Sequence, residues 1–316
     1  CYIYNGSLNH HDGIYLSNTT NGTVSLSNVT GNWWGIHLQY SSANIISDNN
    51  IWDNTMDGIF MEGSSTNMIS NNTIYDNNDG IYILSSSTNT VLNNNIDTNG
   101  QHGIELQLSG MNTFSGNKFT NEGFFVQYGE LIEFVQNIDG TNTANGKPVY
   151  YFLNQSGINI DSWSVGQIIL VNCTYSLING VNASYTDVGI HLAYSTNVAV
   201  TNSIFSYDFF GIWLTSSSTN TISNNNISGG PGGIELLESS NNRISNNDIY
   251  SVDFGIYVDT SNTTVISNNN ISDTWDGITL NFRSSANTII YNIIRENKRN
   301  GIVIGSKFLK LSLIHI

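Results

Sequence analysis

The chain has 316 residues, of which 39% are hydrophobic, enough to bury a large core, yet only 10% are charged. Nine Lys and Arg stand against 24 Asp and Glu, a formal net charge of −15, which leaves no basic footprint for nucleic acid or an anionic membrane surface. Two cysteines, Cys1 and Cys173, do not make a disulfide framework, and Cys173 reads as a small buried thiol.

From the N-terminus, residues 1–12 already read as part of a coil, with neither an initiator Met nor an apolar leader, so a start further upstream is expected. Gly13, Gly35, Gly58, Gly80 and Gly103 then each open an apolar–X–apolar strand. The pattern returns at Gly189, Gly211, Gly233, Gly255, Gly277 and Gly301. A period of roughly 22 residues is the mark of a solenoid. Within one period the apolar residues alternate: Ile81 and Ile83 flank Tyr82, Val91 follows a Ser/Thr/Asn turn, and Ile96 follows an Asn turn. Three short strands and three turns fill the period and leave no room for an ordinary helix. Asn44, Asn67, Asn89, Asn112, Asn220 and Asn242 recur at one corner. Asn49, Asn72, Asn94, Asn117, Asn225, Asn247 and Asn269 recur at another. Asn tolerates the left-handed region and can pair its amide up and down a stack, so both rows read as structural ladders. The leucine-rich repeat shares the period, but the isoleucines, the two Asn corners and the opening Gly favour an all-β, right-handed parallel β-helix. One elongated domain over residues 1–310 is expected.

Between about 120 and 186 the spacing wavers. Gly123, Gly146 and Gly166 read as the strand-opening glycines there, with Pro148 at a strand start. The strings NGKPVYYFLN (145–154), GQIILVNCT (166–174) and DVGIHLAYSTN (187–197), followed by SSSTNTISNNNIS, resemble the NosD-like right-handed β-helix proteins. That resemblance implies a periplasmic or surface location and a module of carbohydrate-binding or sugar-hydrolase type. Its members range from metalloenzyme maturation factors and enzymes to passive surface rods. The tail Leu311–Ile316 resembles the translation of CTGTCTCTTATACACATC, a sequencing-adapter end, and is set aside, with a C-terminus further downstream expected.

Residues at glycine plus one and plus three should face inward, and those at plus two outward. The plus-two row holds Tyr15, His37, Phe60, Tyr82, Glu105, His191, Trp213, Glu235 and Tyr257, then Thr279. On a wet face, such aromatics are platforms for sugar rings and the carboxylates partners for hydroxyls, although aromatics also favour strands and stack on each other for structural reasons alone. The residue before the glycine is Asp12, Asp57, Asp79 or Asp276, with His102 in the same slot. Asp-Gly is a turn signature, yet Asp57 and Asp79 would lie about 5 Å apart on adjacent coils. With Glu62 and Glu105 nearby, they form the best catalytic constellation.

Lys118, Lys147, Arg243 and Arg283 do not stack, which argues against a polyuronate lyase or epimerase, a class that needs bases and carboxylate anchors. No cofactor is expected. Copper and calcium both lack clustered ligands: His37, His102 and His191 fall in different coils, Met61 faces the core, and His10-His11 is a lone adjacent pair. Three readings stay open: a β-helix that binds glycan or another surface polymer without catalysis, a neutral-polysaccharide hydrolase using the acidic residues, and a structural or copper-handling module for metalloenzyme maturation. The expected partner is a cell-surface polysaccharide, with no nucleic acid and no membrane insertion, from a monomeric rod within a larger extracellular or periplasmic protein.

Overall fold

A computed structural model describes residues 1–4, 11–127, 129–305 and the backbone of 313–315. His10 lies outside the described residues, as do positions 311, 312 and 316 of the tail. The backbone of Leu313–His315 is a strand paired in parallel with Thr288–Ile290. The chain divides into two compact units, Cys1–Tyr150 and Tyr151–Ile316.

In the first unit each coil carries three short strands, as in Ile81–Leu84, Thr90–Leu92 and Asn95–Asp97. Each pairs in parallel with the equivalent strand one coil before and one after: Ile81 with Ile59 and Ile104, Val91 with Ile69 and Phe114, Ile96 with Ile74 and Phe119. The register holds because a slip of one residue would turn every isoleucine out into water. All of these isoleucines are fully buried, each stabilising the coil by about 1.5–3 kcal/mol. The second unit repeats the plan with longer strands at the glycine, Phe210–Thr215, Gly232–Leu237 and Phe254–Asp259. All-β, parallel, with coils of about 22 residues, this is the fold class the periodicity demands.

The opening glycines are needed for stacking. A Cβ on Gly80 would stand 2.5 Å from the carbonyl oxygen of Gly103 and 2.6 Å from Ile96 Cγ2. Only a bare Cα lets consecutive coils approach that closely.

The corner asparagines differ from expectation in one respect. The left-handed residue is the one before each of them: Thr66 precedes Asn67, Asn71 precedes Asn72 and Asn93 precedes Asn94, all with φ between 53° and 59°. The ladder Asn is there for its amide. Asn72 Nδ2 donates to the Ile46 carbonyl at 3.0 Å and to Asn94 Oδ1 at 3.0 Å, bonding the coils on either side. A third row also exists, Asn32, Asn54, Asn77 and Asn99, ending on the Glu122 carboxylate at 3.2 Å. A fourth row, Ser41, Ser64, Ser86 and Ser109, passes backbone N–H bonds to the next hydroxyl. In the second unit Cys173 takes the serine place: its N–H donates to Ser195 Oγ at 3.0 Å and its buried thiol to the Phe152 and Val171 carbonyls.

Gly123 and Gly166 do lead into strands, Phe124–Val126 and Gln167–Val171. Gly146 also leads into a strand, Lys147–Leu153, with Pro148 near its start, but it does so from a hairpin turn. Asn145 and Gly146, at φ 52° and 74°, form the two-residue turn of a hairpin in which Ala144 faces Lys147 in antiparallel pairing. Two consecutive positive φ values match the right-handed twist of the flanking strands, and Asn-Gly is the pair that adopts them most readily. A four-residue helix, Leu131–Phe134, precedes this hairpin.

Candidate functional sites

Three successive coils of the first unit place Asp57, Asp79 and His102 in the same slot. The backbone enforces this, since Gly58 N–H donates to the Asp79 carbonyl at 2.9 Å and Gly80 N–H to the His102 carbonyl at 2.8 Å. Glu105, two residues past Gly103, reaches the same place. Side-chain ligand atoms of Asp79, His102 and Glu105 all lie within 4.8 Å of one another. Asp57, Asp79 and Glu105 line a cavity of about 220 Å3 together with Trp34, Phe60 and Tyr82. Burial, reinforced by the Asp79 carboxyl, pushes Asp57 up to about 7. Asp79 and Glu105 are raised as well, by burial first, with His102 opposing the shift at both. The constellation is therefore Asp57, Asp79, Glu105 and His102. Glu62 is not in it: it sits at the far end of its strand and accepts a bond from Gln39 Nε2 at 2.9 Å.

The plus-two row is drier than expected. His37, Phe60, Glu105, His191 and Trp213 are buried, Tyr82, Glu235 and Tyr257 half-buried, and Tyr15 alone of the nine is exposed. Neighbouring coils bring like-placed rings within contact of each other, and the rings cover one another. Phe60 stacks on Trp34 at 5.0 Å, and His191 on Trp213 at 4.4 Å with 13° between planes. His37 is packed against Tyr15, Trp34 and Phe60, and its Nδ1 is 2.8 Å from Asp12 Oδ2. Burial pulls His191 down to about 3, so its imidazole is neutral. Asp276 pairs with Arg299.

In the second unit, Glu235 and Tyr257 share a cleft of about 360 Å3 with Phe209, Phe210, Pro231 and Phe254. Burial, then the Asp259 carboxyl, pushes Glu235 up to about 7. Tyr257 Oη accepts from Asn281 Nδ2 at 2.6 Å, and Asn281 Nδ2 also reaches Asp259 Oδ2 at 3.0 Å. Sequence reasoning named Glu235 and Tyr257 but missed the phenylalanines. The signal was available: Phe210 and Phe254 occupy, before Gly211 and Gly255, the slot that Asp57 and Asp79 hold in the first unit.

A family model described as the right handed beta helix region matches residues 1–161 and 156–313. The chain belongs to the right-handed β-helix family. Among solved structures, this β-helix chain is similar to the mannuronan C-5 epimerase AlgE4 A-module of Azotobacter vinelandii, with 16% identity over 95% of this chain and 84% of that one and a TM-score of 0.36. It is also similar to the periplasmic alginate epimerase AlgG, with 13% identity over 92% and 76% of the two chains and a TM-score of 0.44. For PfbA, a surface adhesin of Streptococcus pneumoniae, the values are 11%, 94%, 86% and 0.34. These likenesses assign no chemistry to this β-helix. No curated protein sequence matches it. Among the described residues, no helix is long and apolar enough to cross a membrane.

Proposed function

We propose that this β-helix is a NosD-like extracellular or periplasmic protein that binds a neutral glycan without cleaving it, in the aromatic cleft of the second unit. The observation that carries the reading is the pairing of an open aromatic wall, Phe210, Phe254 and Tyr257, with one carboxyl, Glu235, in a cleft of about 360 Å3. A sugar ring presents a C–H face that packs on such a wall and hydroxyls that need a polar partner at its edge. The lining holds no Lys or Arg, so a uronate carboxylate would meet Glu235 with nothing to offset the repulsion. Neutral sugars avoid that cost.

The hydrolase reading draws on the three carboxyls of the first unit. A glycosidase needs two carboxyl groups flanking the scissile bond, roughly 5–5.5 Å apart for retention or 6.5–9.5 Å for inversion. Asp79 and Glu105 approach within 4.8 Å, closer than either spacing, which favours sharing a proton or an ion over flanking a sugar.

The test is a glycan-array screen of the whole chain against neutral polysaccharides, with reducing-sugar release measured on each hit. Binding without release, lost in Tyr257→Ala and in Phe254→Ala, is the expected result. Binding indifferent to both substitutions, or no binding at all, would overturn the reading. Release abolished by Asp57→Asn would transfer the function to the hydrolase class.

A further inference from the structure

We propose that Asp79, His102 and Glu105, with Asp57 of the adjoining coil beside them, bind a first-row divalent cation of the Zn2+ or Mn2+ kind at the cavity of the first unit. Four observations converge. The first is proximity: ligand atoms of Asp79, His102 and Glu105 lie within 4.8 Å of one another, and donors around an ion with bonds of about 2.0–2.2 Å need only modest side-chain rotation from there. The second is burial. Asp57, Asp79, His102 and Glu105 are all at most 6% exposed, and buried carboxylates are normally paired with a cation or coordinate a metal. The third is Asp57 Oδ1, which is buried and has no hydrogen-bond partner, on a side chain that faces the same cavity as Asp79 and Glu105.

The fourth is the outer set of donors. Trp34 Nε1 donates to Asp57 Oδ2 at 3.2 Å, the His102 backbone N–H donates to Asp79 Oδ1 at 2.9 Å, and Gln127 Nε2 donates to Glu105 Oε1. Each carboxyl is thus anchored by a protein N–H, Asp79 with a longer second bond from Asn78 Nδ2 at 3.4 Å. This is how metal-binding carboxylates are commonly oriented. The His102 ring is held flat against Phe125, centroids 3.9 Å apart and planes 2° apart, which fixes its direction. Three carboxylates and one imidazole are too oxygen-rich for a soft ion such as Cu(I), and the imidazole favours Zn2+ or Mn2+ over Ca2+.

The inference does not rest on the glycan reading, whose binding arm is tested at Phe254 and Tyr257 of the other unit. The experiment takes the full chain, stripped with chelator and dialysed, and measures bound metal by elemental analysis and titration calorimetry with Zn2+, Mn2+ and Ca2+. Co2+ serves as a spectroscopic stand-in. Expected are one equivalent of Zn2+ or Mn2+, affinity at least about tenfold weaker in Asp79→Asn and in His102→Ala, and a Co2+ visible band that changes on loss of the imidazole. A purely structural role for His102 would leave that band unmoved. Failure of the wild-type chain to bind either ion overturns the proposal, whatever the variants do. So does Zn2+ or Mn2+ binding that persists unchanged in folded Asp79→Asn, or Ca2+ binding alone that survives His102→Ala.

Discussion

Asn72 donates both its backbone N–H and its side-chain amide to Asn94 Oδ1, each at 3.0 Å. Asn94 repeats the act on Asn117 Oδ1, also twice at 3.0 Å, and bonds back to the Ile69 carbonyl at 3.0 Å. One amide therefore serves three coils, in a place water does not reach. Asn94→Ala should cost roughly 2–4 kcal/mol, because it strands buried donors on Asn72 and an acceptor on Ile69. Urea unfolding monitored by far-UV circular dichroism reads this directly. A loss below about 0.5 kcal/mol would mean the ladder is incidental.

Gly80→Ala should be worse than its single methyl suggests. The new Cβ would stand 2.5 Å from a backbone oxygen, which no side-chain rotation relieves. Separating the two coils there should lower stability by about 1–3 kcal/mol or more. The comparison is Gly140→Ala, where an added Cβ meets nothing within 4 Å and thermal melting should barely change.

Trp213→Ala separates core from binding surface. With the indole 3% exposed and His191 stacked on it, the substitution should cost about 3–5 kcal/mol of stability. In the fraction that stays folded, glycan retention should survive. Tyr257→Ala, on a half-buried cleft wall, should show the reverse. Equal loss of binding in both variants at a temperature where both are folded would contradict this division.

Two titrating groups, buried His191 and half-buried Glu235, set opposite pH trends. His191 has its folded pKa depressed from 6.5 to about 3, so its contribution is present above pH 6.5 and is lost as pH falls toward 3. The full effect is on the order of 5 kcal/mol. His191→Phe should flatten the acid limb of a stability-against-pH curve. Glu235 has its pKa raised from 4.5 to about 7, so its contribution is present below pH 4.5 and is lost as pH rises through 7. Roughly 3 kcal/mol is the upper bound, less the screening that water gives a half-buried carboxyl. Glu235→Gln should reduce the decline between pH 4.5 and 7, as read by melting temperature across buffers, and leave the part carried by Asp57, Asp79 and Glu105. An unchanged decline in Glu235→Gln would assign it to another group.

Much of this molecule was legible in one dimension because a solenoid is close to one-dimensional. Each coil meets only its neighbours, so the 22-residue period determined the strand count, the parallel register and the inward row of isoleucines from Ile36 to Ile104. The same logic placed Asp57 and Asp79 on adjacent coils from their spacing alone. Only the tertiary structure decided what lies sideways of each row. The plus-two ring of one coil covers that of the next, which turned an expected wet face at His37, Phe60, His191 and Trp213 into buried packing. Spacing put His102 in the slot of Asp79, but only the structure showed that its ring and the Glu105 carboxyl converge with Asp79 within 4.8 Å, while Glu62 does not. Asn145-Gly146 breaks the parallel rule with a local hairpin, and there the dipeptide was the better guide than the period. Period fixes neighbours along the stack. Depth and lateral contact depend on side-chain volume at every adjoining position, and those no single repeat contains.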